Sequence, residues 1–364
     1  MEPFYSFLVV TYVANFIIGF FGNILVLIYL CDSLKGTNQF NKSLAYILIN
    51  LALADICTEV FGTVAIVLEY DLVLHPKDQV GDVVCKMLTT HTLTWSFTNV
   101  AVLTVVLLAW ERYRAVTQFK SKAASSEDNS KCVGYVLGSF WVLGPVAYSP
   151  YIPFQKWDKE TGGCVEAFPN KWSKYVIVLL DYTIFFLLPL IFFVFAYSSI
   201  VMTLEKPAKD MSSRRKNQFS YHKVRGKLTR TTMLIVCGFI GCWSSAYTLY
   251  TIQVMASIDS KAMDTAYELS LILAYFASTS HPIIYSFRSR HFRRKIKALF
   301  ESFSSGDLLQ VICKRPRQQV EPALRPYVMK SSEDTIGIQN QVLDGADSED
   351  SKDASFDSTN SKQT

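Results

Sequence analysis

The chain is short of charge, short of histidine and without any loop that would hold a phosphate. Asp, Glu, Lys and Arg make up 18% of its 364 residues against 50% hydrophobic, too apolar a balance for an ordinary water-soluble domain of this length. No Gly-rich phosphate loop, no metal-spaced His/Cys set and no Gly-x-Ser-x-Gly elbow occurs, and the five histidines are scattered. These absences argue against an enzyme and imply no cofactor. No half-to-half repeat is visible, which argues against a transporter, the main structural rival for a chain with acids inside its helices. The formal charge of +5 comes without a basic-aromatic groove motif and gives no support to nucleic-acid binding.

What the chain does have is long apolar runs. Stretches able to cross the hydrocarbon core are read at about 7–31, 43–68, 86–111, 132–150, 173–202, 229–256 and 265–287. The fold class expected is therefore an all-α, seven-transmembrane helix bundle. The first run lacks the small-residue cleavage site of a signal peptide and is read as a retained helix. Lys and Arg gather after runs one, three, five and seven, as in Arg112, Arg114, Arg214, Arg215, Arg293 and Arg294. That bias predicts a multi-pass plasma-membrane protein with residues 1–6 outside, the bundle over 7–287 and the C-terminus in the cytoplasm. Over 288–300, Phe292, Ile296 and Phe300 share one face opposite basic residues, which predicts an amphipathic helix on the anionic lipid of the inner leaflet. From 301 to 364 serines and acids dominate, and a disordered tail is expected.

The third run ends "AWERYRAV", placing Glu111, Arg112 and Tyr113 together at a helix end. Alone, the triplet also fits an arginine that snorkels. Further marks follow in chain order: Asn23, then Asn50 and Asp55 in "NLALAD", Trp141, Pro189 with Tyr197, Phe239 and Trp243 in "FIGCW", and Pro282 and Tyr285 in "HPIIY". Over about residues 5–300 this ordered set resembles the rhodopsin-like (class A) G-protein-coupled receptors. The resemblance implies that Arg112 contacts a heterotrimeric G protein, that Glu111 restrains it at rest, and that it is freed when span six swings outward. It also implies inward-reaching roles for Tyr197 and Tyr285, with plain aromatic packing as the alternative for each.

Within that resemblance, Cys85 and Cys164 fall on the outer, oxidising side and are paired as a disulfide, whereas the other six cysteines lie in helices or inside. Cys85 stands 27 residues before Arg112, about two more than is common in the family, which predicts an extra partial turn. Cys313 is read as a plain thiol.

The ligand class is narrowed by elimination. Opsins need a Schiff-base lysine in span seven, where this chain has none and Tyr275 holds the position, so an opsin-like protein is disfavoured. Amine receptors carry an Asp eighteen residues before the Arg, and here that residue is Thr94. "CVEAFPNKW", with Glu166, is similar to the segment after the loop cysteine of many neuropeptide receptors, with Phe168 where Trp is usual. It predicts a hairpin rim suited to an extended peptide. A lipid or other small-molecule ligand is the alternative, favoured by the short N-terminus and by the single glycosylation sequon, at Asn41, lying inside. Thr94, Asp181, Glu166, Trp243, Glu268 and Tyr275 are the candidate ligand residues. Asp181 and Glu268 are read as acceptors of a cationic ligand group, or else as paired and solvated structural acids.

Several departures from the family pattern carry their own expectations. Span six has Ser245 where a proline is usual, with Gly238 and Gly241 as possible bends, and Arg225 stands where an acid would lock Arg112, which predicts ligand-free activity. At the bundle centre Asn23, Asp55, Glu59 and His281 form a polar cluster. Ala101, Ala277 and His281 replace the usual helpers of a sodium ion on Asp55, so no metal is expected to bind well, and an Asp55–His281 contact takes its place. Ser331, Ser332, Ser348, Ser351, Ser355, Ser358 and Thr359 stand among acids, the pattern for a receptor kinase and then arrestin.

Overall fold

Where no water reaches the backbone, an apolar run must satisfy its own amides, and a helix does this within one segment. The structure, a computed structural model, describes residues 3–35, 42–70, 72, 75–76, 78–117, 126–158, 160, 163–205, 215–288 and 290–304. Every apolar run in it is helical: α1 (Pro3–Lys35), α2 (Lys42–Glu69), α3 (Asp78–Val84), α4 (Thr92–Thr117), α5 (Ser126–Tyr148), α6 (Lys171–Tyr182), α7 (Leu188–Glu205), α8 (Arg215–Met255), α9 (Lys261–Arg288) and α10 (Arg290–Ser304). α1 packs on α2 and α9, α2 on α4, α4 on α5 and α7, and α8 on α9, so the ring of spans closes. α4 touches α2, α5, α7 and α8 and forms its axis. Phe7, Ile17, Phe21, Val142, Val146 and Phe195 are exposed on the outside, as lipid-facing side chains are.

Among the described residues, six helical stretches are long and apolar enough to cross a membrane, and α9 is not one of them. Its 28 residues suffice in length. Its polarity comes from Ser270, Ser278, Thr279, Ser280 and His281, all buried inside the bundle, so the hydropathy deficit marks a polar core and not a helix outside the membrane.

Two spans depart from α-geometry near the same end of the bundle. In the third, Cys85–Thr89 form a π-helical turn, His91 adopts φ 59°, and α4 begins at Thr92. The extra residues between Cys85 and Arg112 are accommodated there. A left-handed histidine costs about 1–3 kcal/mol, so neighbouring contacts must hold it. In the fifth, a second π-helical turn over Thr183–Leu187 joins α6 to α7, with the Leu188 N–H bonded to the Thr183 carbonyl five residues back. Pro189 follows directly; its ring crowds the carbonyl four residues earlier, and a widened turn relieves that contact. α8 has no such break and runs 41 residues through Gly238 and Gly241.

Between α5 and α6, β1 (Gln155–Asp158) and β2 (Gly163–Glu166) pair antiparallel, Trp157 opposite Cys164. A Cys85–Cys164 disulfide, Cα–Cα 5.7 Å, fastens this hairpin to the π-helical turn of the third span. At the other end of the bundle α10 is anchored by Phe292, buried against Tyr29 and Tyr285, and by Lys295, 3.0 Å from Asp32 of α1. The Arg293 guanidinium donates to the Ser286 and Phe287 carbonyls at the α9 terminus. The side chain of Arg225, Cys313 and the tail serines lie outside the described residues.

Candidate functional site

A cavity of about 460 Å³ opens below the hairpin. α2 contributes Glu69 to its wall, the third span His91 and Trp95, the hairpin Trp157 and Glu166, α6 Asp181, α8 Tyr247 and Tyr250, and α9 Tyr267. The π-helical turns matter here, because each re-aims the helix beside a wall residue: one precedes His91, the other follows Asp181. His91 bridges two spans, its Nε2 3.1 Å from Glu69 and its Nδ1 3.1 Å from the Tyr275 hydroxyl. Its left-handed backbone is also held directly, the His91 N–H donating to the Leu88 carbonyl and the His91 carbonyl accepting from the Trp95 N–H, both at 2.9 Å.

Of the expected ligand residues, Asp181 and Glu166 line the cavity. Glu166 is paired with Lys174 at 2.5 Å. Among the described residues Asp181 makes no hydrogen bond or ion pair; its polar surroundings are tyrosines, among them Tyr148, Tyr151 and Tyr247. Glu268 lies behind the wall and accepts from the Tyr70 hydroxyl at 2.8 Å. Burial, with Glu268 beside it, pushes the Tyr70 phenol up, so Tyr70 remains the donor. Thr94 and Tyr275 are buried next to the cavity and do not line it. Trp243 sits one layer lower, 5.5 Å from Trp95, 5.9 Å from Tyr247 and 6.1 Å from Phe239 between ring centroids. His91, Trp95, Tyr247 and Tyr250 carry no motif; only the fold, by closing spans around one space, brings them together.

Beneath Trp243 a small space of about 10 Å³ borders Asp55, Thr58, Thr98, Ala101, Ala277 and His281. His281 Nδ1 lies 2.6 Å from Asp55 Oδ2, both residues 2% exposed. Glu59, one turn along α2, accepts from Thr279 at 3.3 Å, and Asn23 donates to the Gly19 and Ser278 carbonyls. Thr58 and Thr98 keep buried hydroxyls with no hydrogen-bond partner among the described residues. They were missed in the sequence because threonines in apolar helices usually bond their own backbone. On the far side of α2, Asn50 accepts from Trp141 Nε1 and donates to Thr104, both at 2.8 Å, fastening α2, α4 and α5.

At the end opposite the hairpin, Arg112 is 4% exposed and ion-paired with Glu111. Tyr197 has Arg112 and Thr232 as polar neighbours, and the Tyr285 hydroxyl is buried without a hydrogen-bond partner. Tyr113 packs on Trp110 and Phe195. The arrangement is a cavity at one end, an aromatic and polar column through the middle, and a restrained arginine at the other. The described residues hold no group of three or more His, Cys, Asp or Glu that would bind a metal.

The sequence was compared with known proteins. It is 25% identical to galanin receptor type 1 of Rattus norvegicus over 290 residues, 79% of this chain and 80% of the relative. It is 26% identical to the substance-P receptor of Aquarana catesbeiana over 300 residues, 80% and 69% of the two chains, and 25% identical to somatostatin receptor type 2 of Sus scrofa over 309 residues, 81% and 79%. The family model described as 7 transmembrane receptor (rhodopsin family) matches residues 22–285. With the helix ring, the ordered motif residues and this match in agreement, the chain belongs to the rhodopsin family of seven-transmembrane, G-protein-coupled receptors.

Proposed function

We propose that this receptor is activated by an extracellular neuropeptide that enters the cavity below the hairpin and presents a cationic group to Asp181. The observation that carries the reading is an unpaired carboxylate facing a cavity large enough for side chains and roofed by a β-hairpin. It is supported by the relatives, which are receptors for galanin, substance P and somatostatin. The positive-inside bias supports a plasma-membrane protein with the hairpin end and residues 1–6 outside and the Arg112 end in the cytoplasm. Ligand seated on Tyr247 and Trp95 bears on Trp243, which these rings contact. A shift of α8 there separates its other end from α4 and α7, and Arg112 leaves Glu111 for the G protein. α10, with its basic face, rests on anionic lipid of the inner leaflet, and residues 301–364 serve a receptor kinase and arrestin.

The test is nucleotide exchange on a G protein in membranes carrying the receptor, driven by a peptide library. A peptide agonist is expected, and Asp181→Asn should lower the potency of a basic agonist by about 10- to 100-fold with surface expression kept. Unchanged potency would reject Asp181 as the counterion; activation by lipids and by no peptide would reject the ligand class.

A further inference from the structure

We infer that the cavity takes a ligand with two cationic groups, one received by Asp181 and the other by Glu69. The inference rests on the reading that this cavity is the agonist site. Among the described residues its lining includes three carboxylates, Glu69, Glu166 and Asp181, and no Lys or Arg. Glu166 is already neutralised by Lys174 and also accepts from the Tyr250 hydroxyl. Asp181, on α6, has no hydrogen-bond or ion-pair partner among the described residues.

Glu69, at the end of α2, meets only the His91 ring among the described residues, with 41% of its side chain exposed. The His91 ring meets Glu69 at one carboxylate oxygen, Oε2, and turns its other nitrogen to the Tyr275 hydroxyl, so the second oxygen of Glu69 has no hydrogen-bond partner among the described residues. Two carboxylates therefore line one cavity from different spans. A ligand with a single positive charge meets only one of them, and a second cationic group adds a charge-assisted hydrogen bond to the other.

The surface between these two acids suits such a ligand. Tyr267 is within electrostatic reach of both Glu69 and Asp181, and tyrosine faces hold alkylammonium and guanidinium groups by cation–π attraction. Tyr247, 5% exposed, lines the same cavity and keeps a buried hydroxyl without a hydrogen-bond partner, a further polar contact for an incoming group. Two sources supply this chemistry: a peptide with two basic groups, or a linear polyamine.

The experiment uses the full-length receptor in membranes, with G-protein nucleotide exchange and thermal stabilisation of the detergent-solubilised receptor as readouts. The probes are matched short peptides with two, one or no basic residues, together with spermidine and hexylamine. Dibasic probes should exceed their monobasic analogues by at least about tenfold. Asp181→Asn and Glu69→Gln should each remove most of that advantage while sparing the monobasic probe that addresses the other acid. Comparing probes within one variant separates a binding effect from poor folding. Equal potency of monobasic and dibasic probes, loss of both alike in Glu69→Gln, or no response to any basic probe overturns the inference. Activation by neutral peptides alone overturns it and leaves the peptide-receptor reading standing. Activation by spermidine and by no peptide supports the two-cation site and overturns the peptide reading.

Discussion

His281→Ala isolates the contribution of one buried contact at the bundle centre. His281 and Asp55 are each 2% exposed and meet at 2.6 Å, joining α9 to α2. Removing the imidazole leaves the Asp55 carboxylate with only the Ser278 hydroxyl as donor in a space too small to hydrate it fully, and breaking a buried pair in this way costs about 3–5 kcal/mol. At about 2–4 °C per kcal/mol, the temperature at which half the receptor loses ligand binding should fall by at least roughly 6 °C. His281→Asn is the informative partner variant. It keeps an N–H donor for Asp55, so most of the stability should remain, and its amide oxygen adds an acceptor beside Asp55 and the Thr58 and Thr98 hydroxyls, which have no hydrogen-bond partner among the described residues. Those oxygens form the kind of donor set a hard cation needs. Agonist affinity in the native receptor should respond little to sodium, and in His281→Asn it should fall several-fold as sodium replaces a bulky monovalent ion. A native receptor already strongly sodium-sensitive, or a His281→Ala variant as heat-stable as native, would refute the reasoning.

Three further outcomes are expected. Glu111→Gln weakens a largely desolvated ion pair to Arg112 by about 1.5–3 kcal/mol, so ligand-free nucleotide exchange should rise by about tenfold or more, and no rise at matched surface expression would remove Glu111 as the restraint. Cys85→Ser should release the hairpin from the third span, and surface expression or agonist binding should drop to a small fraction of native; normal binding after this change would make the disulfide dispensable to the site. Truncation after Phe300 should abolish most arrestin recruitment while nucleotide exchange persists, and full recruitment by the truncated chain would take the tail out of desensitisation.

Much of the molecule is legible in the sequence because the membrane leaves one solution for an apolar run. Helix positions, the ordered marks from Asn23 to Tyr285, the Glu111–Arg112 pair and the cysteine pairing all rest on local pattern or on motif spacing. Even the irregularity at the third span showed as two surplus residues after Cys85, and the structure accommodates them as a π-helical turn and a left-handed His91. The widened turn at Thr183–Leu187 left only Pro189 as a sign, since a proline predicts strain upstream and not its form.

The ligand cavity was a different matter. Asp181 and Glu268 read alike as acids inside spans and Glu166 as part of the loop segment after Cys164, yet Glu268 is hydrogen-bonded to Tyr70, Glu166 is held by Lys174, and among the described residues Asp181 has no partner. His91 and Tyr247 belong to no motif and Glu69 reads only as one of several acids on the outer side, because each is unremarkable among its neighbours in sequence. Periodicity and motif depend on residues a few positions apart, so the sequence by itself determined the helices and their polar marks. Charge pairing and cavity shape depend on which side chains from different helices meet across the bundle, so only the tertiary structure decided which acids remain open to a ligand.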